Sequence, residues 1–214
     1  MKVSKRRNRV EYMLFKIYFL FSRLFFRLQV KSLGKNVQLR FQGRVIGGRY
    51  ISVGDNVKFD PRWLLACFPS YGGVDNPVKT NRKGISIGNG TTANRNLTIY
   101  CADSVKIGDN CMLGGNILIT DNDHGMNPEC EEYYREQPLL SKEVIIEDGC
   151  WIAQNCCILA GSHIGKKCIV AAGAVVKGEF PERCIIAGIP ARIVRIWDRE
   201  NHIWITCENR KNQT

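Results

Sequence analysis

The stretch Val144–Val176, VIIEDGCWIAQNCCILAGSHIGKKCIVAAGAVV, decides the fold of this chain. In it a β-branched residue recurs every six positions without a gap: Ile146, Ile152, Ile158, Ile164, Val170 and Val176. An α-helix would scatter residues six apart around its axis, whereas short strands separated by tight corners point all of them inward. Three such sides close a triangular coil, so the period predicts a β-helix.

A small residue stands four positions after each of the first five inward residues: Cys150, Cys156, Ser162, Cys168 and Ala174. A crowded corner favours a small side chain, so we interpret several of the ten cysteines as compact filler. The chain has no secretory signal and no pair of CxxC motifs. We therefore expect reduced thiols, a cytoplasmic location and no metal site.

The same period continues upstream in triplets: Leu33, Leu39 and Val45; Val53, Phe59 and Leu65; Ile87, Ala93 and Ile99; Ile107, Leu113 and Ile119. With the last six positions, the triplets predict about six triangular coils in an all-β domain over residues 33–190. The spacing stretches only between triplets, so every insertion is expected at the same corner of the prism. Each coil buries its apolar side against its neighbours, so both ends need caps.

The N-terminal segment 1–32 is the first expected cap. Residues 9–30 are rich in Phe, Leu and Tyr and lack Gly and Pro, which predicts a basic amphipathic helix. Arg9, Lys16 and Arg23 recur every seven residues, so these cations share one face with Arg27, which follows Arg23 by four.

The position of this helix stays open at the level of sequence. Its longest stretch without a charged residue is Ile17–Ser22, far below the ~20 residues of a spanning helix. The helix either lies at the inner membrane surface or caps the core and packs on another subunit. The second expected cap is a short helical tail over residues 191–214.

Composition limits the class of protein. With 44% hydrophobic and 24% charged residues, the chain is globular rather than disordered. The formal net charge of +11 favours an anionic partner such as nucleic acid, a phosphorylated ligand or an acidic membrane, without choosing among them.

The segment Thr120–Gly125, TDNDHG, places one of three histidines in the largest insertion. A neutral imidazole can accept a proton near pH 7 and return it, so His124 is a candidate general base. A solvated loop histidine is the plain alternative. Asp121 and Asp123 could orient the ring, although acids that flank such a residue in a loop are usually only solvated.

Together these features resemble the hexapeptide-repeat acyltransferases, specifically the maltose and galactoside O-acetyltransferase branch and its relatives in capsule, lipopolysaccharide and exopolysaccharide synthesis. The motifs that carry the resemblance are the period itself, VKIGDNCMLGG, the histidine loop, EDGCWIAQNCCILAGSHIG and IIAGIPARIVR, within residues 33 to 198. The resemblance implies a left-handed parallel β-helix and a homotrimer with active sites between neighbouring subunits. It also implies acetyl-coenzyme A as the donor.

The resemblance also implies roles for individual residues. His124 matches the catalytic histidine of the family. Asn94 matches an asparagine that lines the acceptor pocket of sugar acetyltransferases, and Asn96 is the neighbouring candidate. Either asparagine could instead be a turn residue that tolerates left-handed backbone geometry.

The donor site is expected to draw on three segments: Trp151; the backbone groups of Ala172 and Gly173, with Lys177; and Arg192 and Arg195. Arginine suits the coenzyme A phosphates because its planar fork binds them bidentately. The segment AAGAVVKGEFP departs from the usual GAGSVVTKDIP pattern, in which the lysine stands one position later. Lys177 is expected to supply that positive charge instead. Trp151 could instead be a packing residue, and the two arginines could simply form a basic face.

The implied function is acetyl-coenzyme A-dependent O-acetylation of a sugar hydroxyl in surface-polysaccharide or glycolipid synthesis. The expected partners are a homotrimer, the saccharide acceptor and the inner face of the membrane, with no nucleic acid. Two alternatives are an N-acetyltransferase acting on an amino-sugar nucleotide and a non-catalytic scaffold. A zinc hydrolase would need three converging histidines, and His124, His163 and His202 lack the spacing.

Overall fold

A computed structural model describes residues 9–40, 42–81 and 83–207. Three mainly parallel sheets, named A, B and C, form the sides of a parallel β-helix. Sheet A contains Ser32–Leu33, Ile51–Val53, Gly84–Ile87, Ser104–Ile107, Val144–Ile146, His163–Ile164 and Glu179–Phe180. Sheet B contains Gln38–Leu39, Lys58–Phe59, Thr92–Ala93, Met112–Leu113, Trp151–Ile152, Ile169–Val170, Cys184–Gly188, Ala191–Asp198 and Ile203–Thr206. Sheet C contains Gly43–Ile46, Trp63–Cys67, Leu97–Cys101, Ile117–Thr120, Cys157–Ile158 and Val175–Val176.

The residues of the six-residue period point into the interior of the prism. All of the predicted inward positions are buried except Val45, which is half-buried. Successive coils pair in register, so that Ile99 lies beside Leu65 below and Ile119 above. The core is therefore a set of stacked columns of aliphatic side chains, as the period predicts.

The repeat runs further than the period indicates. Phe180 and Ile186 are buried and continue sheets A and B beyond Val176. The step from Val176 to Phe180 is four residues instead of six, so a strict search for the period ends too early.

The corners of the prism use residues that accept tight or left-handed backbone. Asn96, Asn116 and Asn155 have φ values of 65°, 58° and 60°. Asparagine tolerates this region better than most residues. The Nδ2 group of Asn96 donates to Oδ1 of Asn116 at 2.6 Å, and Asn116 Nδ2 donates to Asn155 Oδ1 at 2.9 Å. Stacked corners are thus tied together by their side chains.

The predicted small filler positions are buried in the corners: Cys150, Cys156, Ser162, Cys168 and Ala174. Their thiols make local contacts, as when Cys150 Sγ donates to the carbonyl of Gly165 at 3.1 Å. All ten cysteines are free thiols. The cysteines in these positions therefore serve packing.

Every insertion lies where sheet C leads into sheet A, which we call the C–A edge. The first contains the 3₁₀ turn Gly48–Tyr50. The second contains a hairpin of Ser70–Tyr71 with Val74–Asp75, followed by helix α2 (Pro77–Asn81). The largest, residues 121–143, contains Asn122–Asp123 paired with Leu140–Ser141. The predicted shared corner is confirmed.

Helix α1 (Arg9–Gln29) confirms a helix over nearly all of the predicted residues 9–30, and residues 1–8 of the expected cap lie outside the described ranges. The helix lies against the strand Gln38–Leu39 of the first coil. Phe26 is buried and meets Trp63 of the second coil edge-to-face, with ring centroids 5.4 Å apart. Across the described ranges, no helix combines the length and the apolar character needed to cross a bilayer.

The expected helical tail is wrong for the described part of residues 191–214. Ala191–Asp198 and Ile203–Thr206 are antiparallel strands that extend sheet B from Cys184–Gly188. Their sequences, ARIVRIWD and IWIT, are rich in β-branched and aromatic residues, which favour strands. The exposed edge of a sheet also offers unpaired backbone groups that such segments satisfy. Residues 208–214 lie outside the described range.

Candidate functional site

The histidine loop, residues 121–143, presents His124 directly after the short strand Asn122–Asp123. The imidazole is exposed in the single chain. The loop leaves from Thr120 at the end of one sheet C strand and returns at Val144 in sheet A. Its position therefore depends on how its two ends are attached.

Asp121 fixes the first end. Its carboxylate is completely buried and accepts backbone N–H groups of Ala102 (2.7 Å), Asp103 (2.8 Å) and Ser104 (2.7 Å). It also accepts Nδ2 of Asn122 at 2.8 Å. The expectation that Asp121 is solvated is therefore wrong, because its oxygens accept hydrogen bonds from the neighbouring corner at residues 102–104. Asp123 is exposed, as expected.

Asp121 also influences a buried thiol. A hydrogen bond with Cys67, burial and the charge of Asp121 raise the pKa of Cys101 far above its usual range. Cys101 therefore stays protonated and acts as packing rather than as a nucleophile.

Glu143 fixes the second end of the loop. Its Oε1 accepts the hydroxyl of Ser104 at 2.6 Å and pairs with Nζ of Lys106 at 2.8 Å. Burial raises the pKa of Glu143, but the contacts with Lys106 and Ser104 outweigh it, and the net shift is downward. The backbone N–H of Lys142 also donates to the carbonyl of Asp121 at 2.8 Å. Both ends of the loop are thus clamped to residues 102–106.

Gln137 organises the interior of the loop. It is buried, its Nε2 donates to the carbonyls of Asn127 and Glu132 at 3.0 Å each, and its Oε1 accepts the N–H of Asn127 at 3.1 Å. A Cβ at Gly125 would lie 2.5 Å from Cβ of Gln137. The residue after His124 must therefore be glycine for this packing, and the histidine backbone is held in place.

Tyr71 is the aromatic neighbour of His124. The two ring centroids are 5.3 Å apart at an interplanar angle of 60°. The hairpin that carries Tyr71 packs on the histidine loop, because a Cβ at Gly72 would lie 2.5 Å from the carbonyl oxygen of Glu136. Sequence reasoning missed Tyr71, although the shared corner of the two insertions was the signal that they would meet.

The acceptor candidates lie on a different edge, where sheet B leads into sheet C. Asn94 is exposed there, beside an open cleft of about 440 Å³. The residues that line the cleft are Asp60, Asn94, Arg95, Asn96, Gly115, Asn116 and Gln154. The amide of Asn96 is used in the corner stack, so its turn role is the one the geometry favours. Within one chain, Asn94 and His124 stand on different edges of the prism.

The donor candidates Trp151, Arg192 and Arg195 share the outer face of sheet B. Trp151 is 45% exposed and aligns with Ile169, which aligns with Ile185, which aligns with Arg195. At about 4.8 Å per strand, Trp151 and Arg195 are about 14 Å apart along this row.

A bulge explains how two arginines three positions apart reach the same face. Arg195 lies opposite Ile185 and Arg192 lies opposite Ala187, with the register shift between Ile185 and Ile186. In a regular strand, residues at this spacing would point to opposite faces.

The remaining donor candidates are not on this face. Ala172 is exposed at the edge between sheets B and C, beside Gly173. The N–H of Gly173 donates to the carbonyl of Gln154 at 2.9 Å and is not available to a phosphate. Lys177 is exposed on the C–A edge. Within the described part of the chain, no group of three His, Cys, Asp or Glu side chains is placed to hold a metal.

Two family models match the repeat. Residues 143–178 match the bacterial transferase hexapeptide model of six repeats, and residues 104–120 match the hexapeptide repeat of succinyl-transferase. The chain is 30% identical over 156 residues to galactoside O-acetyltransferase of Escherichia coli, covering 72% of this chain and 68% of that protein. It is 31% identical over 112 residues to the lipopolysaccharide biosynthesis O-acetyl transferase WbbJ of Escherichia coli, covering 50% of this chain and 57% of WbbJ.

The fold matches a solved structure of galactoside acetyltransferase in complex with coenzyme A. The TM-score is 0.58 at 20% identity, and the match covers 95% of this chain and 80% of that one. At this identity the likeness establishes the fold.

Proposed function

Because the chain belongs to the hexapeptide-repeat acyltransferase family, we propose that it transfers an acetyl group from acetyl-coenzyme A to a sugar hydroxyl. The proposed setting is the synthesis of a surface polysaccharide or glycolipid. The similarity to galactoside O-acetyltransferase and to WbbJ supports a sugar as the acceptor. The observation that carries the proposal is an exposed histidine on a loop whose ends and interior are held by Asp121, Glu143 and Gln137.

The donor supplies an activated acetyl thioester, and His124 transfers the proton. The imidazole accepts the proton of the acceptor hydroxyl as its oxygen bonds to the acetyl carbon and the carbon–sulfur bond breaks. The imidazolium then returns the proton to the departing thiolate. No group on the protein needs to be acylated.

The outer face of sheet B is the proposed donor surface. Trp151 supplies an exposed aromatic surface, and Arg192 and Arg195 supply two cations for the phosphates of coenzyme A. Ala172 lies at the adjoining edge. Lys177, on the C–A edge, would reach the donor only from a neighbouring subunit.

A homotrimer would complete the site. Asn94 and His124 stand on different edges of one chain, so an acceptor pocket that uses both must form between two subunits. We infer that His124 of one subunit faces Asn94 of the next.

The first experiment tests the catalytic role of His124. Release of the coenzyme A thiol is followed with a panel of saccharides and an amino-sugar nucleotide, using wild type, His124→Ala and the control His163→Ala. We expect His124→Ala to lower the rate by about 10²-fold or more, while His163→Ala stays near wild type. Equal rates for wild type and His124→Ala would refute the general base. Transfer to the amine alone would refute O-acetylation.

The second experiment tests the shared pocket by mixing His124→Ala with Asn94→Ala subunits after dissociation and reassembly. If the pocket takes its two residues from neighbouring subunits, about a quarter of the sites in random 1:1 trimers carry both native residues and regain activity. Mixtures no more active than the two separate variants would place both residues in one chain.

A further inference from the structure

Helix α1 carries an apolar stripe along its exposed side. Its members are large side chains that are 43–79% exposed: Met13, Ile17, Phe21, Leu24, Phe25 and Leu28. At 3.6 residues per turn they fall within an arc of about 120°. Six large apolar side chains on one side of a helix make a continuous patch, and such patches mark interaction sites.

The opposite side of α1 holds the helix to the β-helix. Phe26, and Val30 directly after the helix, are buried against the core. Nη2 of Arg23 donates to the carbonyl of Gly34, and Nη1 of Arg27 donates to the carbonyl of Leu33, both at 3.4 Å. These contacts fix the rotation of α1 about its axis, so the apolar stripe faces away from the prism.

The charge of the protein is concentrated at the same end. Residues 1–50 contain 13 Lys and Arg but one acidic residue, Glu11. Residues 51–214 contain 18 Lys and Arg and 19 Asp and Glu. The net charge of +11 therefore originates entirely in the N-terminal fifty residues.

This charge distribution favours one kind of binding partner for the apolar stripe. A second copy docked stripe to stripe would bring two strongly cationic segments together, at an electrostatic cost. An anionic lipid surface would take the apolar side chains into its headgroup and acyl boundary and attract the flanking cations. Phe21 and Phe25 are suited to that depth because aromatic rings bury a large apolar area.

We propose that α1 docks the protein on an anionic lipid bilayer, with the apolar stripe inserted along the side of the helix and the net positive charge of the first fifty residues strengthening the attraction. The proposal is independent of the transferase reaction. A sugar acceptor carried on a lipid would be met at the same surface.

The test is flotation of the full chain with phosphatidylcholine vesicles, with and without phosphatidylserine. The stripe variant carries Ile17→Gln, Phe21→Gln, Phe25→Gln and Leu28→Gln, since glutamine preserves helix propensity. The matched control replaces exposed apolar residues elsewhere, Val74→Gln and Ile203→Gln. Circular dichroism checks that the variants are folded.

We expect wild type and control to float with phosphatidylserine vesicles, to bind at least about tenfold less without this lipid, and to be released by salt. The stripe variant should lose at least about tenfold in partitioning. Absence of wild-type binding, or equal binding of the stripe variant, would overturn the proposal. A stripe variant that forms a smaller oligomer than wild type in lipid-free light scattering would show that the stripe joins copies of this chain instead.

Discussion

The uninterrupted repeat Val144–Val176 and the histidine loop, residues 121–143, are held by different kinds of contact. In the repeat, inward residues stack in columns, as when Ile152 lies between Leu113 of one neighbouring coil and Val170 of the other. In the loop, the buried polar groups of Asp121, Gln137 and Glu143 each bind a specific partner. Stability is distributed along the repeat and concentrated at a few points in the loop.

This difference has a consequence for function. A stack of similar coils makes a rigid frame whose inward positions resemble one another. The loop departs from the repeat and is therefore free to present His124, provided that its polar clamps hold. Single substitutions in the two regions should therefore differ in their effects.

Removal of the Asp121 carboxylate should have the largest effect on stability. Asp121→Ala leaves three backbone N–H groups of residues 102–104 without acceptors, at about 1 to 3 kcal/mol each. We expect a loss of about 3 to 9 kcal/mol in the free energy of unfolding by urea. Asp123→Ala, two positions away and exposed, should stay within about 0.5 kcal/mol. Similar losses for both variants would refute the clamp.

A cavity in the repeat should destabilise the protein somewhat less than the loss of the Asp121 carboxylate. Ile152 is fully buried, so Ile152→Ala is expected to lower the free energy of unfolding by about 2 to 5 kcal/mol. The adjacent Trp151 is exposed, and Trp151→Ala should cost under about 1 kcal/mol while weakening coenzyme A binding in calorimetry. If Trp151→Ala proves the more destabilising variant, the assignment of inward and outward faces is wrong.

Disruption of the asparagine stack should lower the free energy of unfolding by less than the two preceding changes. Asn116→Ala removes side-chain hydrogen bonds to Asn96 and Asn155 and strains a residue with φ of 58°. We expect a loss of about 2 kcal/mol, measured by urea unfolding. Asn116→Gly removes the same bonds without the strain and should lose about 1 kcal/mol. Equal losses would show that backbone strain contributes nothing at this corner.

Tyr71 should affect activity more than stability. Loss of the ring that packs on His124 is expected to reduce kcat about tenfold in Tyr71→Ala, equivalent to about 1.4 kcal/mol. Tyr71→Phe keeps the ring and should restore kcat. Unchanged kcat in Tyr71→Ala, or a loss confined to KM, would show that Tyr71 does not position the imidazole.

Much of the β-helix could be predicted because every coil places the same kinds of residue at its inward and corner positions, which produces a regular spacing in the sequence. The inward columns, the small corner residues and the shared edge of the insertions all follow from spacing. The end of the repeat was missed because the step from Val176 to Phe180 breaks the spacing while the strand pairing continues. The C-terminal strands were missed because the free edge of sheet B, which recruits them, is visible only in three dimensions.

The candidate site was less predictable for the same reason. The sequence identifies His124 as a residue in an unusual place, and the resemblance suggests its role. The contact with Tyr71 joins two insertions that are far apart in the chain, and the burial of Asp121 depends on the backbone of residues 102–104. Neither contact produces a regular spacing of residues in the sequence.

The sequence by itself determined the β-helix, its inward residues, the edge that carries the insertions and the excess of cations in the first fifty residues. Only the tertiary structure decided that Asp121 serves as a clamp, that Tyr71 meets His124 and that Asn94 stands on another edge. It also decided that the apolar stripe of α1 faces outward. Periodic burial is a local property that each coil repeats, whereas these arrangements depend on single contacts between segments that meet only after the chain has folded.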